Sequence, residues 1–299
     1  MTSSPIIVAG CGFLGEAVCD LLDQQGNSVI GLTYSAESAQ RLSLIKPYPV
    51  MNADLTSLES LEELGRKIGH PSPHLPHLQI THSTGIIHCA STKGGGQDAY
   101  RAVYCRGLRH LLEVFQPSWC LFTSSTSVYP QRDEEWVTED ATTEPASATA
   151  QCLLEAEQIA LNAGGAVTRL AGLYGPGRSV LLQRFLVGAS VIDGTEPEAS
   201  GRWVNQIHRD DAAAAVVRLW NLRANGVFNV VDNRPMLQRE IYQWLAKFYE
   251  RDLPPVAPPD PTRRRGWTNK RVSNQKLLSQ DWTPHFPDFF AAVRHGLDI

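Results

Sequence analysis

Apolar and polar positions follow two alternating rhythms along the first half of the chain. Short unbroken apolar runs are each followed by a stretch with apolar residues three and four apart. "PIIVAG" (5–10) leads into a helical pattern over 12–25, and "SVIGLT" (28–33) into a polar helix over 36–45. "YPVMNADL" (48–55) precedes "SLESLEELGRKIG" (57–69), and "GIIHCAS" (85–91) precedes a long helix over 98–115. "WCLFTSS" (119–125) is followed by a loop and a helix over 147–160, and "GAVTRLAGLYG" (165–175) closes the series. Repeated strand–helix units predict a parallel sheet with helices on both faces. Unbroken apolar strands are what two covered faces require.

Beyond residue 172 the rhythm loosens. Helices are expected over 179–187, 210–222 and 237–250, and "GVFNVVD" (226–232) reads as one more strand. "DLPPVAPPDPTRRRGW" (252–267) is rich in proline and then basic, and reads as an irregular surface connection. The expected architecture is α/β: a Rossmann-type doubly wound parallel sheet over 1–172, with a smaller C-terminal substrate lobe over 173–299. Some strands of the two are expected to interleave.

The helix over 147–160 is built from good helix formers, with Pro145 just upstream where a helix tolerates it. Ala150, Leu153, Leu154, Ala160 and Leu161 share one face.

Composition narrows the function. With 27 Lys and Arg against 31 Asp and Glu, the net charge is −4, which argues against a nucleic-acid partner. No apolar run is long enough to span a membrane. The opening "MTSSPIIVAGCGFLG" lacks a basic leader region and reads as a strand, which makes the cytoplasm the expected compartment. The six cysteines (Cys11, Cys19, Cys89, Cys105, Cys120 and Cys152) are scattered and form no C-x-x-C pair, so buried free thiols are expected. Cys11, inside a glycine-rich turn, is the one expected to meet a reagent.

That turn is "GCGFLG": Gly10, Cys11, Gly12, Phe13, Leu14 and Gly15 in G-x-G-x-x-G spacing, directly after a strand and opening a helix. The first glycine permits the tight turn, the second lets backbone approach a pyrophosphate, and the third lets helix and strand pack closely. Helix N-terminal amides then favour the phosphate charge. The end of the second strand usually carries an acid when the ligand is NAD. Here it carries Thr33, Tyr34 and Ser35, with Glu37 arriving late and Arg41 further on. Hydroxyls without an acid favour NADP as cofactor, with NAD the alternative.

"GCGFLG", "ADL" (53–55), "IIHCAS", "FTSSTSVYP", "RLAGLYGPG", "VNQIHRDDAAAAV" and "GVFNVVD" occur in an order that resembles the extended short-chain dehydrogenase/reductases, the NAD(P)-dependent epimerase/dehydratase family. The tail "NKRVSNQKLLSQDW" (269–282) resembles an atypical, uncharacterised branch of it. The resemblance implies that Gly10, Gly12 and Gly15 hold the pyrophosphate. It places Asp54 at the adenine edge with Leu55 beside it, and Cys89, Ala90 and Ser91 along the cofactor at the end of the fourth strand. Ser125 matches the serine that hydrogen-bonds a substrate carbonyl, and Leu173 to Gly177 would sit near the nicotinamide. His208 and Asp211 match an "IH-x-x-D" element with a structural or a catalytic role. A small-molecule substrate is implied, and a homodimer is admitted.

The family's acid/base pair, Tyr-x-x-x-Lys, falls on the helix over 147–160, where the ungapped alignment finds Thr149 and Leu153 instead. No shift rescues it, because the helix contains neither Tyr nor Lys. Losing such an acid lowers rates by roughly 10²–10⁴. Tyr129, in the loop after the fifth strand, is the substitute of choice for the catalytic acid beside Ser125. Tyr174 and His208 are weaker ones.

"HPSPHLPHLQITH" brings His70, His74, His77 and His82 together, but its prolines forbid one helical face and no carboxylate or Cys joins them. A solvated loop is expected, and no metal. The basic run "TRRRGWTNKR" reads as a solvated or salt-bridged loop, or as a contact for a phosphate-bearing substrate. Gly94–Gly96 reads as a flap over the cofactor or as an ordinary loop.

Two functions follow. The first is an NADPH-dependent reductase of a small carbonyl or imine, with a proton donor other than the usual Tyr: Tyr129, another pocket residue or water. The second is a non-catalytic NADP-binding redox sensor or scaffold. Sugar-nucleotide epimerase or dehydratase chemistry is disfavoured, because it leans hardest on the missing Tyr and Lys.

Overall fold

The structure, a computed structural model, describes residues 5–69, 85–92, 94–145, 147–195, 201–259 and 268–297. The chain begins with β1 (Ile6–Ala9), α1 (Phe13–Gln24), β2 (Val29–Thr33), α2 (Ala36–Ser43), β3 (Val50–Asn52), α3 (Leu58–Gly69) and β4 (Gly85–His88). Then come α4 (Gln97–Tyr100), a π-helical segment (Arg101–Arg106), α5 (Gly107–Phe115), β5 (Trp119–Ser125), β6 (Trp136–Val137), α6 (Ala148–Asn162), β7 (Ala166–Leu170) and β8 (Gly172–Tyr174). The remainder holds α7 (Val180–Leu186), β9 (Ile192–Asp193), β10 (Trp203–Val204), β11 (Gln206–His208), α8 (Arg209–Leu222) and β12 (Gly226–Val230). Last come β13 (Met236–Leu237), α9 (Gln238–Phe248), β14 (Val256–Ala257), β15 (Arg271–Val272), α10 (Gln275–Leu278) and α11 (Phe289–Arg294).

The first compact unit comprises residues 1–125, 148–169 and 213–228. It carries the seven-stranded sheet, ordered β12-β7-β5-β4-β1-β2-β3. The pairs β1–β2, β1–β4, β2–β3 and β4–β5 are all parallel. β1, β2, β4 and β7 are buried at every residue, which is why the first three read as largely apolar runs, whereas β7 carries Thr168 and Arg169. The sheet is the Rossmann-type parallel sheet the rhythm predicts.

The second unit comprises residues 126–147, 170–212 and 229–299. Its core is built from Tyr174, Leu182, Phe185, Ile192, Met236, Ile241, Tyr242 and Leu245 with Phe289 and Phe290. Around it lie two-stranded pairs: β8–β11, β9–β14 and β6–β15 parallel, β10–β13 antiparallel.

Four expectations are corrected. The run 165–175 is two strands, because the chain leaves β7 at Ala171 and pairs β8 with β11. The stretch 252–267, which reads as wholly irregular, includes β14 paired with β9; a two-residue strand between prolines shows no period. The helix over 98–115 is not uniform, since it widens into the π turn. Its Val103 carbonyl meets His88 Nε2 at 3.1 Å. The buried face of α6 is Ala150, Cys152, Leu153, Ala156, Glu157 and Ala160, whereas Leu154 and Leu161 are only half-buried. The four histidines from His70 to His82 lie outside the described residues.

Candidate functional site

β1 ends in the glycine turn, and the three glycines are needed for different reasons. Gly10 sits at φ +98°, and a Cβ there would lie 2.3 Å from the backbone of Ala90. A Cβ on Gly15 would lie 2.1 Å from the Gly10 carbonyl oxygen. A Cβ on Gly12 would meet nothing within 4 Å, so no packing among the described residues requires that glycine. Space is therefore kept open over Gly12, where α1 begins with no side-chain cap. Open backbone at an uncapped helix N-terminus fits a pyrophosphate. Phe13 is half-buried and Leu14 is buried.

The neighbouring strand ends surround this turn in sequence order. Thr33 is buried and its hydroxyl donates to the Ser35 carbonyl at 3.1 Å. Ser35 caps α2, accepting from Ser38 N at 3.2 Å, while Tyr34 is 80 % exposed. Arg41 lies exposed in the last turn of α2 and Glu37 in its first. No carboxylate occupies positions 33–35. After β3, Asp54 Oδ1 accepts from Thr56 N and Oγ1 (2.8 and 2.7 Å), and Leu55 is buried beside it. After β4, Cys89 and Ala90 are half-buried and Ser91 is exposed.

All six cysteines are free. The expected accessible thiol is corrected: Cys11 is buried, its sulfur 3.9 Å from that of Cys19, and Cys89 alone among the six is half-buried. The tight turn folds the Cys11 side chain inward onto Gly31 and α1. Burial pushes the Cys89 thiol well above its ordinary range.

Ser125 is the last residue of β5 and is half-buried. On α6, Thr149 is half-buried and Leu153 is 4 % exposed; neither ionises near neutral pH. One turn further on, Glu157 forms a buried ion pair with Arg169 of β7, Arg169 Nη2 to Glu157 Oε2 at 2.7 Å. Ser124 donates to Glu157 Oε1 at 2.5 Å. Sequence reasoning misses this pair. Its signal is an arginine in a doubly covered strand and a glutamate on the apolar face of the preceding helix, each of which looks isolated along the chain.

In the second unit, Tyr129 is wholly buried and its hydroxyl donates to Asn229 Oδ1 at 2.7 Å. Asn229 Nδ2 donates to the Ser273 carbonyl, and Asn229 N to Glu139 Oε1. Lys270 Nζ donates to the Tyr129 carbonyl at 2.8 Å and is 4 % exposed. Sequence reasoning misses Lys270 too, because it sits at the end of a run that reads as solvated and basic. His208 is buried against Tyr174 and Phe286, and burial lowers its pKa. Asp211 accepts from His285 N and Phe286 N at 2.6 and 3.0 Å, which ties that segment down. The Tyr174 hydroxyl is buried with no partner among the described residues, and burial raises its pKa. No group of three metal-ligating side chains occurs among the described residues. No helix there is long and apolar enough to cross a membrane.

A parallel sheet with an open glycine turn at the head of its first helix defines a dinucleotide-binding α/β protein. The description "NAD dependent epimerase/dehydratase family" matches residues 6–230, and the chain belongs to that family. Among solved structures, it is similar to a protein of Methylobacillus flagellatus assigned to the NAD-dependent epimerase/dehydratases. That match has 27 % identity over 98 % of this chain and 97 % of the other, TM-score 0.71. It is also similar in fold to UDP-glucose 4-epimerase of Thermus thermophilus, solved with NAD: 20 % identity, 97 % and 96 % coverage, TM-score 0.76. A conserved protein of unknown function from Silicibacter pomeroyi matches at 21 % identity, 99 % and 100 % coverage, TM-score 0.69. No curated protein matches.

Proposed function

We propose that the protein is an NAD(P)(H)-binding oxidoreductase, a reductase of a small carbonyl or imine substrate that draws its proton from outside the usual helix. The observation that carries this is the contrast among the three glycines. Gly10 and Gly15 are closed off by the protein itself, whereas Gly12 faces open space. A bound reduced dinucleotide supplies hydride to the substrate carbon. The open backbone over Gly12, with Phe13 and Leu14 opening α1, would take the pyrophosphate. Asp54, Leu55, Cys89, Ala90 and Ser91 line the rest of the cofactor. Thr33, Tyr34, Ser35 and Arg41 would lie on the adenosine ribose side and favour NADP, since none of them is a carboxylate that would repel a 2′-phosphate.

Ser125 donates a hydrogen bond to the substrate oxygen. Thr149 and Leu153 provide no acid, and the Tyr129 hydroxyl proton is already held on Asn229. Water is therefore the proton source, and Tyr129 serves by fixing the loop that follows Ser125. A Leu at position 153 also removes an ammonium that would bind the nicotinamide ribose, so the ring is held by fewer contacts.

The test has two stages. Calorimetric titration should show NADPH binding more tightly than NADH. Steady-state NADPH consumption over a panel of carbonyls and imines should then show turnover above blank. Tight NADPH binding with no turnover on any of them would leave a non-catalytic NADP-binding protein instead.

A further inference from the structure

Lys270 is a cation in an unusual setting. Its side chain is almost wholly buried, at 4 % exposure. An ammonium has three donors, and among the described residues one acceptor is present, the neutral carbonyl of Tyr129 at 2.8 Å. No carboxylate among those residues lies within ion-pair distance of it. The charged groups whose fields reach it are Arg202, which repels, and Glu135, which attracts. Arg202 is itself turned to Asp193, at 3.1 Å. Taking a charge out of water is costly unless hydrogen bonds and an opposite charge replace the lost hydration. One neutral carbonyl replaces little of it. Burial, with Arg202 behind it, lowers the amine's pKa to about 8.

The position is nevertheless built with care. The Lys270 carbonyl accepts from Asn205 Nδ2 at 2.9 Å, and Asn205 Oδ1 accepts from Val272 N at 2.8 Å. Asn269 Oδ1 accepts from Trp203 N at 2.8 Å. On the other side Glu134 N donates to the Asn269 carbonyl and Arg271 N to the Glu135 carbonyl. Backbone pegged on both flanks fixes where the side chain starts, and the Tyr129 carbonyl fixes its Nζ, as a preorganised binding group requires. The carbonyl it holds belongs to Tyr129, four residues after Ser125 along the chain.

We propose that Lys270 is an anion-binding residue of the second unit, its two remaining N–H donors taking an oxyanion, a carboxylate or a phosphate. This goes beyond the oxidoreductase reading above and stands independently of it, on the second unit alone. The anion supplies the close opposite charge that no described residue provides at ion-pair distance. Lysine suits either anion, as a compact point charge.

The experiment uses the full chain loaded with NADPH and labelled with ¹³C at the ε-carbons of its six lysines. Each resonance is titrated with pH in chloride alone, in acetate and in inorganic phosphate at one ionic strength. One resonance should titrate near pH 8 in chloride and move up by about one pH unit in acetate, phosphate or both. It should vanish in Lys270→Met, or in Lys270→Arg if the Met variant fails to fold. Movement in acetate alone assigns a carboxylate, and movement in phosphate alone a phosphate. An unchanged midpoint in all three media overturns the inference and makes Lys270 a structural clamp on the Tyr129 carbonyl. NADPH fluorescence in the same samples reports dinucleotide binding separately. Loss of that signal with the anion response intact would overturn the oxidoreductase reading and not the anion site.

Discussion

At the scale of single residues, the glycine turn separates folding from binding. An Ala at position 15 must displace the Gly10 carbonyl, while an Ala at position 12 touches nothing. Gly12→Ala should leave stability within about 1 kcal/mol of wild type, the range of helix-cap substitutions. It should weaken NADPH binding at least tenfold, read by fluorescence titration. Gly15→Ala should lose about 2 kcal/mol or more in urea unfolding, as overpacking does. Equal effects of the two on stability would show that Gly12 also serves packing. The Glu157–Arg169 pair makes a second case. Arg169→Met strands a buried carboxylate and should cost about 3–5 kcal/mol. The double change Arg169→Met with Glu157→Leu should recover most of that loss, because no charge is left buried. Urea midpoints of the three variants decide it.

At the scale of elements, α6 is the informative helix. Its existence and its ends, 147–160 expected against Ala148–Asn162 observed, are legible from composition alone. Which face it buries is not, because Leu154 and Leu161 look as apolar as Leu153, and Glu157 looks like a surface residue. Tertiary partners decide the matter: Arg169 and Ser124 call Glu157 inward. The unbroken strands and the glycine turn are readable for the opposite reason, since burial on both faces writes itself into every residue. The two-residue strands β6, β9, β10, β13, β14 and β15 are too short to carry a period and emerge only from the structure. Thr149→Tyr with Leu153→Lys would return the missing pair to α6. Leu153 is buried, so the variant should be less stable, by about 1–3 kcal/mol. It should nonetheless bind NADPH more tightly or turn over faster, measured by titration and by NADPH consumption. If neither improves, the helix register assigned to those two positions is wrong.

For the whole molecule, buried ionisable groups set how stability responds to acid. Burial holds His88 down to about 4 from an ordinary 6.5, and lowers His208 as well. Both bind protons more readily unfolded than folded, so their effect is absent above pH 6.5 and stability falls as pH drops toward 4. Burial raises Asp211 and Asp232, which act in the opposite sense: stability tied to their protonated forms declines as pH rises above the ordinary carboxylate range. Below neutrality the histidines should dominate the profile. His88→Phe, a ring of similar size beside Tyr104 and Phe122, should remove about 3 kcal/mol of the loss between pH 6.5 and 4. It should also lower stability slightly at pH 7 by giving up the Val103 contact. Thermal melts across that range test the slope; an unchanged slope would place the acid sensitivity elsewhere.

The same histidine contact marks the π turn at Arg101–Arg106. Such a turn carries one residue more than the α-helix around it. Since each α-helical residue advances about 100° around the axis, an ungapped alignment with a relative that lacks the turn would rotate everything on one side of it by that angle. A comparison with a relative lacking the turn therefore needs a single-residue gap within 101–106, and the partners of Glu155 depend on the extra residue. Arg101 and Arg109, eight positions apart across the turn, both reach that one carboxylate. Deleting a residue between them should pull one arginine out of its reach, so the extra residue and the paired contact stand or fall together.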